Sequence, residues 1–178
     1  EALLVRGGNG RGKTSLLRIL CGLSSPVAGV VHWRGEPIRQ AHELYGREMV
    51  YLGHANGIKD DLTPIENLRL AAALGGRELD MSAATAALEQ VGLSRCLDFP
   101  ARVLSFGQRR RVALAGLLTA GALLWILDEP LTGLDVDGVA MVEQMIRDHV
   151  AAGGLAIMTT HQSLSLYGLT PKTLSVGE

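Results

Sequence analysis

Gly7-Gly8-Asn9-Gly10-Arg11-Gly12-Lys13-Thr14 reads G-x-x-x-x-G-K-T, and it sits between a short apolar run, Ala2 to Val5, and an apolar helical stretch, Ser15 to Leu23. Strand, glycine-rich turn and helix in that order make a phosphate-cradling loop. Glycines let successive backbone N–H groups point into one concavity, which favours an anion. The helix that follows adds the positive end of its dipole. Lys13 then supplies a point charge for β- and γ-phosphates, and the hydroxyl of Thr14 a ligand for Mg²⁺. A glycine-rich turn that binds nothing would need neither the lysine nor the hydroxyl at its end.

Length and composition narrow the rest. The 178 residues suit one domain, and a hydrophobic fraction of 47% suffices for a sizeable core. Seventeen Lys and Arg against eighteen Asp and Glu give a net charge of −1, so no overall field attracts nucleic acid or an anionic membrane. Cys21 and Cys96 lie far apart and match no metal, haem-attachment or redox spacing; they read as reduced, buried thiols of a cytoplasmic protein. Val112 to Leu127 runs sixteen residues without a charge, short of the ~20 a spanning helix requires. Gly116 and Gly121 interrupt it and Asp128-Glu129-Pro130 follow at once, so it reads as a buried helix and then a buried strand.

Further elements follow from local chemistry. A helix is expected over Lys13–Cys21, ended by Gly22 as a left-handed cap, and short strands over Val30–Trp33 and Met49–Leu52, with Arg39–Glu48 a polar connection between them. Thr63-Pro64-Ile65-Glu66 is a capping box with proline in the first turn, predicting a helix to Leu74. Ser82–Val91 reads as a second helix. Ser105–Leu118 is helical, Leu123–Leu127 a fully buried strand, Gly138–Ala152 a helix, and Leu155–Thr159 a last buried strand. Continuous apolar strands alternating with helices predict an α/β fold, a mostly parallel sheet covered on both faces. The expected organisation is a single domain over 1–178, in which 1–60 and 101–178 form a P-loop core and about 61–100 a small helical subdomain.

Asp128 and Glu129 end a wholly apolar strand. Ligands of parallel sheets lie beyond the carboxyl ends of the strands, so both acids should face the phosphates, Asp128 as a Mg²⁺ partner and Glu129 as the base that polarises an attacking water. Leu104-Ser105-Phe106-Gly107-Gln108 has two compatible readings: a capping box that opens a helix, and a second anion site at a helix N-terminus.

Four ordered stretches, Gly7–Thr14, Leu104–Gln108, Ile126-Leu127-Asp128-Glu129-Pro130 and Thr159-Thr160-His161, resemble the nucleotide-binding domain of ATP-binding cassette (ABC) proteins, P-loop NTPases. The resemblance runs from Gly7 to His161 and implies an ATPase of the transport-coupled type, with ATP and Mg²⁺ as its ligands. It implies that Gly7, Gly8, Asn9, Gly10, Arg11, Gly12, Lys13, Thr14 and Ser15 hold the nucleotide, that Thr14 and Asp128 hold the metal, and that Glu129 and His161 are catalytic. It further implies a homodimer or paired nucleotide-binding domain, in which Ser105, Gly107 and Gln108 of one copy cap the γ-phosphate held by the other. Asp135 then lies between the two sites. Most such domains carry a glutamine that touches the Mg²⁺ site and relays to the membrane subunit, and it aligns with His54 here.

Gly53–Lys59, Leu127-Asp128-Glu129-Pro130 with Asp135-Val136-Asp137-Gly138-Val139, and Thr159-Thr160-His161-Gln162 are similar, more narrowly, to the ATP-binding subunits of haem exporters in bacterial c-type cytochrome biogenesis. That resemblance implies haem export or handling, integral-membrane partner subunits, and a peripheral place on the cytoplasmic face of the inner membrane. Haem-exporter subunits often have the glutamine one position later, where this chain has Ala55. Whether His54 takes that contact is left open, although histidine can donate and accept hydrogen bonds. No haem site is argued from these residues. Another small ABC exporter, or a nucleotide-gated assembly module with little hydrolysis, are the alternatives. A kinase or GTPase would not need Leu104–Gln108, and an ABC protein of translation or DNA repair would show basic patches or coiled-coil insertions. The chain opens on Glu1 instead of Met and nothing aromatic precedes Gly7 to stack on adenine, so an N-terminal portion is expected to be missing.

Overall fold

A run of consecutive apolar residues that is too short for a helix needs apolar partners on both of its faces. The computed structural model describes residues 1–162 and 164–177 and gives the central run those partners; position 163, and position 178 where the expected domain ends, lie outside the described residues. Strand β1 (Ala2–Arg6) leads through the glycine loop into α1 (Lys13–Leu20). A small antiparallel hairpin, β2 (His32–Trp33) and β3 (Glu36–Pro37), precedes α2 (His42–Glu48) and β4 (Met49–Leu52). Helices α3 (Pro64–Leu74), α4 (Met81–Gln90) and α5 (Phe106–Ala120) lead to β5 (Leu124–Asp128). The chain closes with α6 (Val136–Ala151), β6 (Leu155–Thr159) and β7 (Lys172–Ser175).

The main sheet has the order β4-β5-β6-β1-β7, and every pairing in it is parallel. Side chains alternate across it with period two. Leu124, Ile126 and Val5 face one way, where they meet Leu17 of α1 and Tyr45 of α2. Trp125, Leu127, Leu4 and Met158 face the other, packed by α3, α4, α5 and α6 through Leu68, Leu88, Leu114 and Ile146. The 61–100 section therefore holds α3 and α4, which share one apolar cluster with that face of the sheet. Both helices are capped as their sequences require: Thr63 and Glu66 form a reciprocal box, and Asp80 accepts from the amide of Ala83 at 2.7 Å.

Several expectations need correcting. Arg39–Glu48 is not simply a polar connection, since most of it folds as α2, anchored by one buried ring: the hydroxyl of Tyr45 donates to the carbonyl of Leu20 at 2.7 Å and its ring meets Trp33. Only His32 and Trp33 of the Val30–Trp33 run are in a strand, and Val30 is exposed. Strand β5 ends on Asp128, one residue beyond the expected limit, so that carboxylate belongs to the strand itself. Helix α6 begins at Val136, two residues ahead of Gly138, because the side chain of Asp135 caps it. Cys21 is buried, whereas Cys96 is only half-buried and lies 3.4 Å from the side-chain amide of Gln108.

Candidate functional site

The Gly7–Thr14 loop leaves β1 and turns at once, and two of its glycines are required by geometry. At Gly7 (φ 154°) a Cβ would come 2.5 Å from the carbonyl oxygen of Val176, just beyond β7. Gly12, the N-cap of α1, has φ 93°, a conformation that residues with a Cβ rarely take. The ammonium of Lys13, 9% exposed, donates to the carbonyls of Gly7 at 2.8 Å and Gly8 at 3.1 Å, which holds a buried positive charge in the mouth of the loop. Asn9, Gly10, Gly12, Thr14 and Ser15 open with it onto one cavity of about 540 Å³.

The far wall of that cavity is made by the ends of β5 and β6. Asp128, 2% exposed, accepts from the hydroxyl of Thr159 at 2.7 Å. Parallel pairing sets those two residues side by side across the sheet. Glu129 stands in the left-handed region at φ 52°, an unusual state for a residue with a long side chain. Its amide donates to the carbonyl of Thr159 at 3.2 Å and to its hydroxyl at 3.1 Å. Its carboxylate accepts from the backbone amide of His161 at 3.3 Å, with the imidazole Nε2 at 3.4 Å from the other oxygen. His54, exposed at the end of β4, lines the same cavity with Asp128, Glu129 and His161. Among the described residues no three His, Cys, Asp or Glu side chains cluster as a metal cage. Cys21 lies near Asp128, and burial together with that charge pushes its thiol up to about 12, so it stays neutral.

Ser105, Gly107, Gln108 and Asp135 do not line this cavity; they gather around the start of α5. The amide of Gln108 donates to the hydroxyl of Ser105 at 3.2 Å and the Ser105 amide to Gln108 Oε1 at 2.8 Å, a complete capping box. The carboxylate of Asp135 accepts from the amide of Gly138 at 2.9 Å and from Arg111 at 2.8 Å, and those two donors hold it below the usual aspartate range. Gly107 lies close against the carbonyl of Gly133, where a Cβ would stand 3.0 Å away. The loop after His54 is fastened to the start of α5 through Asp60–Arg109 (3.0 Å) and to the single turn at Ala101–Val103 ahead of it through Asp61–Arg102 (2.8 Å).

Sequence reasoning missed two side chains that hold the site together. Thr159 read only as the end of a strand, because its partner is 31 positions away in the chain. Arg110 sits between two other arginines in the chain, yet it stands four and seven residues ahead of Leu114 and Leu117 on the buried side of α5, a place where a charge needs an explanation. Thr132 and Gln162 also line the cavity without having been singled out.

The ABC transporter family profile matches residues 1–132. The chain is 52% identical over 172 residues to a cytochrome c biogenesis ATP-binding export protein, CcmA, of Nitrosospira multiformis, an alignment spanning 97% of this chain and 84% of that protein. The CcmA of Nitrosomonas europaea is 55% identical over 170 residues, 96% of this chain and 80% of the relative. Among solved structures, a putative ABC transporter ATP-binding protein from Pyrococcus furiosus superposes with a TM-score of 0.84 at 24% identity, covering 98% of this chain and 84% of the other. A dimeric ATP-binding cassette bound to ADP and Pi superposes with a TM-score of 0.81 at 22% identity, covering 91% of this chain and 75% of the other; both structures share the fold.

Proposed function

The chain belongs to the ABC transporter family, and within it to the cytochrome c biogenesis ATP-binding export proteins; on that premise we propose that it hydrolyses ATP to drive a membrane complex that exports or handles haem for c-type cytochromes. One observation carries the reading. Lys13 and Thr14, Asp128 and Glu129, and His161 come from three separate segments and line a single cavity.

In this reading the loop amides and Lys13 hold the β- and γ-phosphates, their positive charge already fixed before the substrate arrives. Thr14 and Asp128 fit a magnesium ion. One oxygen of Asp128 is engaged by Thr159, and magnesium keeps most of its water, taking one or two carboxylates together with phosphate oxygens. The ion, when bound, neutralises charge that builds on the phosphate oxygens. Glu129 takes the proton of the attacking water, its carboxylate oriented by the two contacts from His161. His161, half exposed on the cavity wall, would donate to the γ-phosphate.

Ser105, Gly107 and Gln108 would then complete the site of a second nucleotide-binding domain, with Asp135 between the two sites. His54 and the loop after it face the integral-membrane subunits, at the cytoplasmic face of the inner membrane, where the chain sits as a peripheral subunit. Among the described residues no helix is long and apolar enough to cross a membrane. Steady-state turnover tests the reading. The wild-type protein should hydrolyse MgATP, and Glu129→Gln should lose at least ~100-fold in kcat while still binding the nucleotide. Equal turnover in the two would remove Glu129 from the mechanism and the reading with it.

A further inference from the structure

Arg110 is 1% exposed, and among the described residues no carboxylate lies within ion-pair distance of it. Burial opposes the guanidinium charge, while the charges of Asp128 and Glu129 favour it from a distance. A buried charge without a direct ion pair needs acceptors for all its N–H groups. Nε donates to the carbonyl of Pro130 at 3.2 Å, and Nη2 to those of Asp128 at 3.3 Å and Glu129 at 2.7 Å. Nη1 points the other way, to the carbonyl of Gly53 at 2.9 Å and the side-chain oxygen of Asn56 at 3.0 Å. Three consecutive carbonyls from the end of β5 and two acceptors from the stretch around His54 thus converge on one rigid plane.

We propose that Arg110 is the positioning residue of this ATPase: it sets the backbone of Glu129 and ties it to the Gly53–Asn56 stretch, so that the carboxylate moves with that stretch. The inference rests on Glu129 being the base of the proposed reaction. Glu129 is in a left-handed conformation that a residue with a Cβ avoids unless its surroundings impose it. Thr159 fixes its amide and Arg110 its carbonyl, one from each side. The direction of the carboxylate toward His161 follows from that backbone. Displacement of Gly53 or Asn56 pulls on the same guanidinium, and the fork cannot follow it without loosening its bonds to residues 128–130. Lysine cannot substitute, since an ammonium offers three donors from one point where five acceptors are spread around a plane.

The test compares Arg110→Lys and Arg110→Gln with the wild type, measuring kcat and KM for MgATP and the Kd for ATP on the full chain. Arg110→Lys should lower kcat at least ~10-fold with KM and Kd changed less than ~3-fold, because the residue acts through Glu129 and touches no nucleotide. In a Glu129→Gln background the same substitution should leave the single-turnover rate where it was. Wild-type kcat in Arg110→Lys overturns the proposal, as does a loss confined to KM or a further fall in the Glu129→Gln background. Should Arg110→Gln not fold, Asn56→Ala removes only the loop-side acceptor; it should lower kcat in the wild type but not in Arg110→Lys, and additive effects count against the link. If Glu129→Gln keeps full turnover, the ATPase mechanism and this inference fall together. If Glu129→Gln is inactive and Arg110→Lys is not, only the inference falls.

Discussion

Thr159 is uncharged and fully buried, yet its hydroxyl serves both acids at the end of β5, donating to Asp128 and accepting from the amide of Glu129. Valine has nearly the same shape and no hydroxyl, so Thr159→Val isolates that function. It leaves a buried carboxylate oxygen without its donor, which costs about 1–3 kcal/mol. We expect the urea midpoint to fall accordingly and the Mg²⁺ concentration for half-maximal ATPase activity to rise, since Asp128 loses the bond that orients it. An unchanged midpoint and an unchanged magnesium dependence would contradict that role. The residues of the Gly7–Thr14 loop were legible in the sequence because their chemistry is written into eight adjacent positions. Thr159 was not, because a threonine closing an apolar strand is also an ordinary strand residue; only the register of β5 against β6 gives it a partner. Arg110 was hidden for a related reason, since its five acceptors come from two distant turns of the backbone.

Among the elements, the start of α5 carries two compatible explanations that substitution can separate. Ser105 closes a capping box with Gln108, which is structural, and in the proposed assembly it also faces the phosphate of a second copy. Ser105→Ala removes the cap and should destabilise the chain by about 1 kcal/mol in chemical denaturation. Ser105→Asp keeps a good capping oxygen and should hold the denaturation midpoint, while placing a negative charge against a triphosphate. ATPase activity lost in Ser105→Asp with stability kept points to the phosphate; activity kept in Ser105→Asp reduces Ser105 to a cap. Both capping boxes could be seen in the sequence since each is complete within four residues. Helix α2 and strand β7 could not. A single buried ring anchors α2, and β7 is exposed along its length and held by main-chain pairing to β1, so neither leaves a periodic apolar trace.

For the whole molecule, the separation between the two clusters decides the argument. The cavity beside Lys13 already has its acids and its histidine, whereas Ser105, Gly107 and Gln108 of the same chain lie outside it around the head of α5. A single copy therefore presents the Gly7–Thr14 loop with its acids and, elsewhere on its surface, the capped start of α5; in the proposed assembly a two-fold axis would bring the start of α5 of one copy to the loop of the other. The order of the four motifs made this arrangement readable as a family resemblance, but the surfaces that would meet in the dimer come from distant parts of the chain and left no local pattern. With MgATP, Glu129→Gln should double its mass in light scattering, because the nucleotide that joins the copies is no longer consumed. Adding Ser105→Arg should return it to the mass of one chain, since the bulky cation occupies the place of the partner's phosphate. Should the double variant remain dimeric, the start of α5 is not at the interface, and the copies meet elsewhere. Should Glu129→Gln itself stay monomeric while binding ATP, two copies of this chain do not share the nucleotide, and the second cluster must meet a different nucleotide-binding domain.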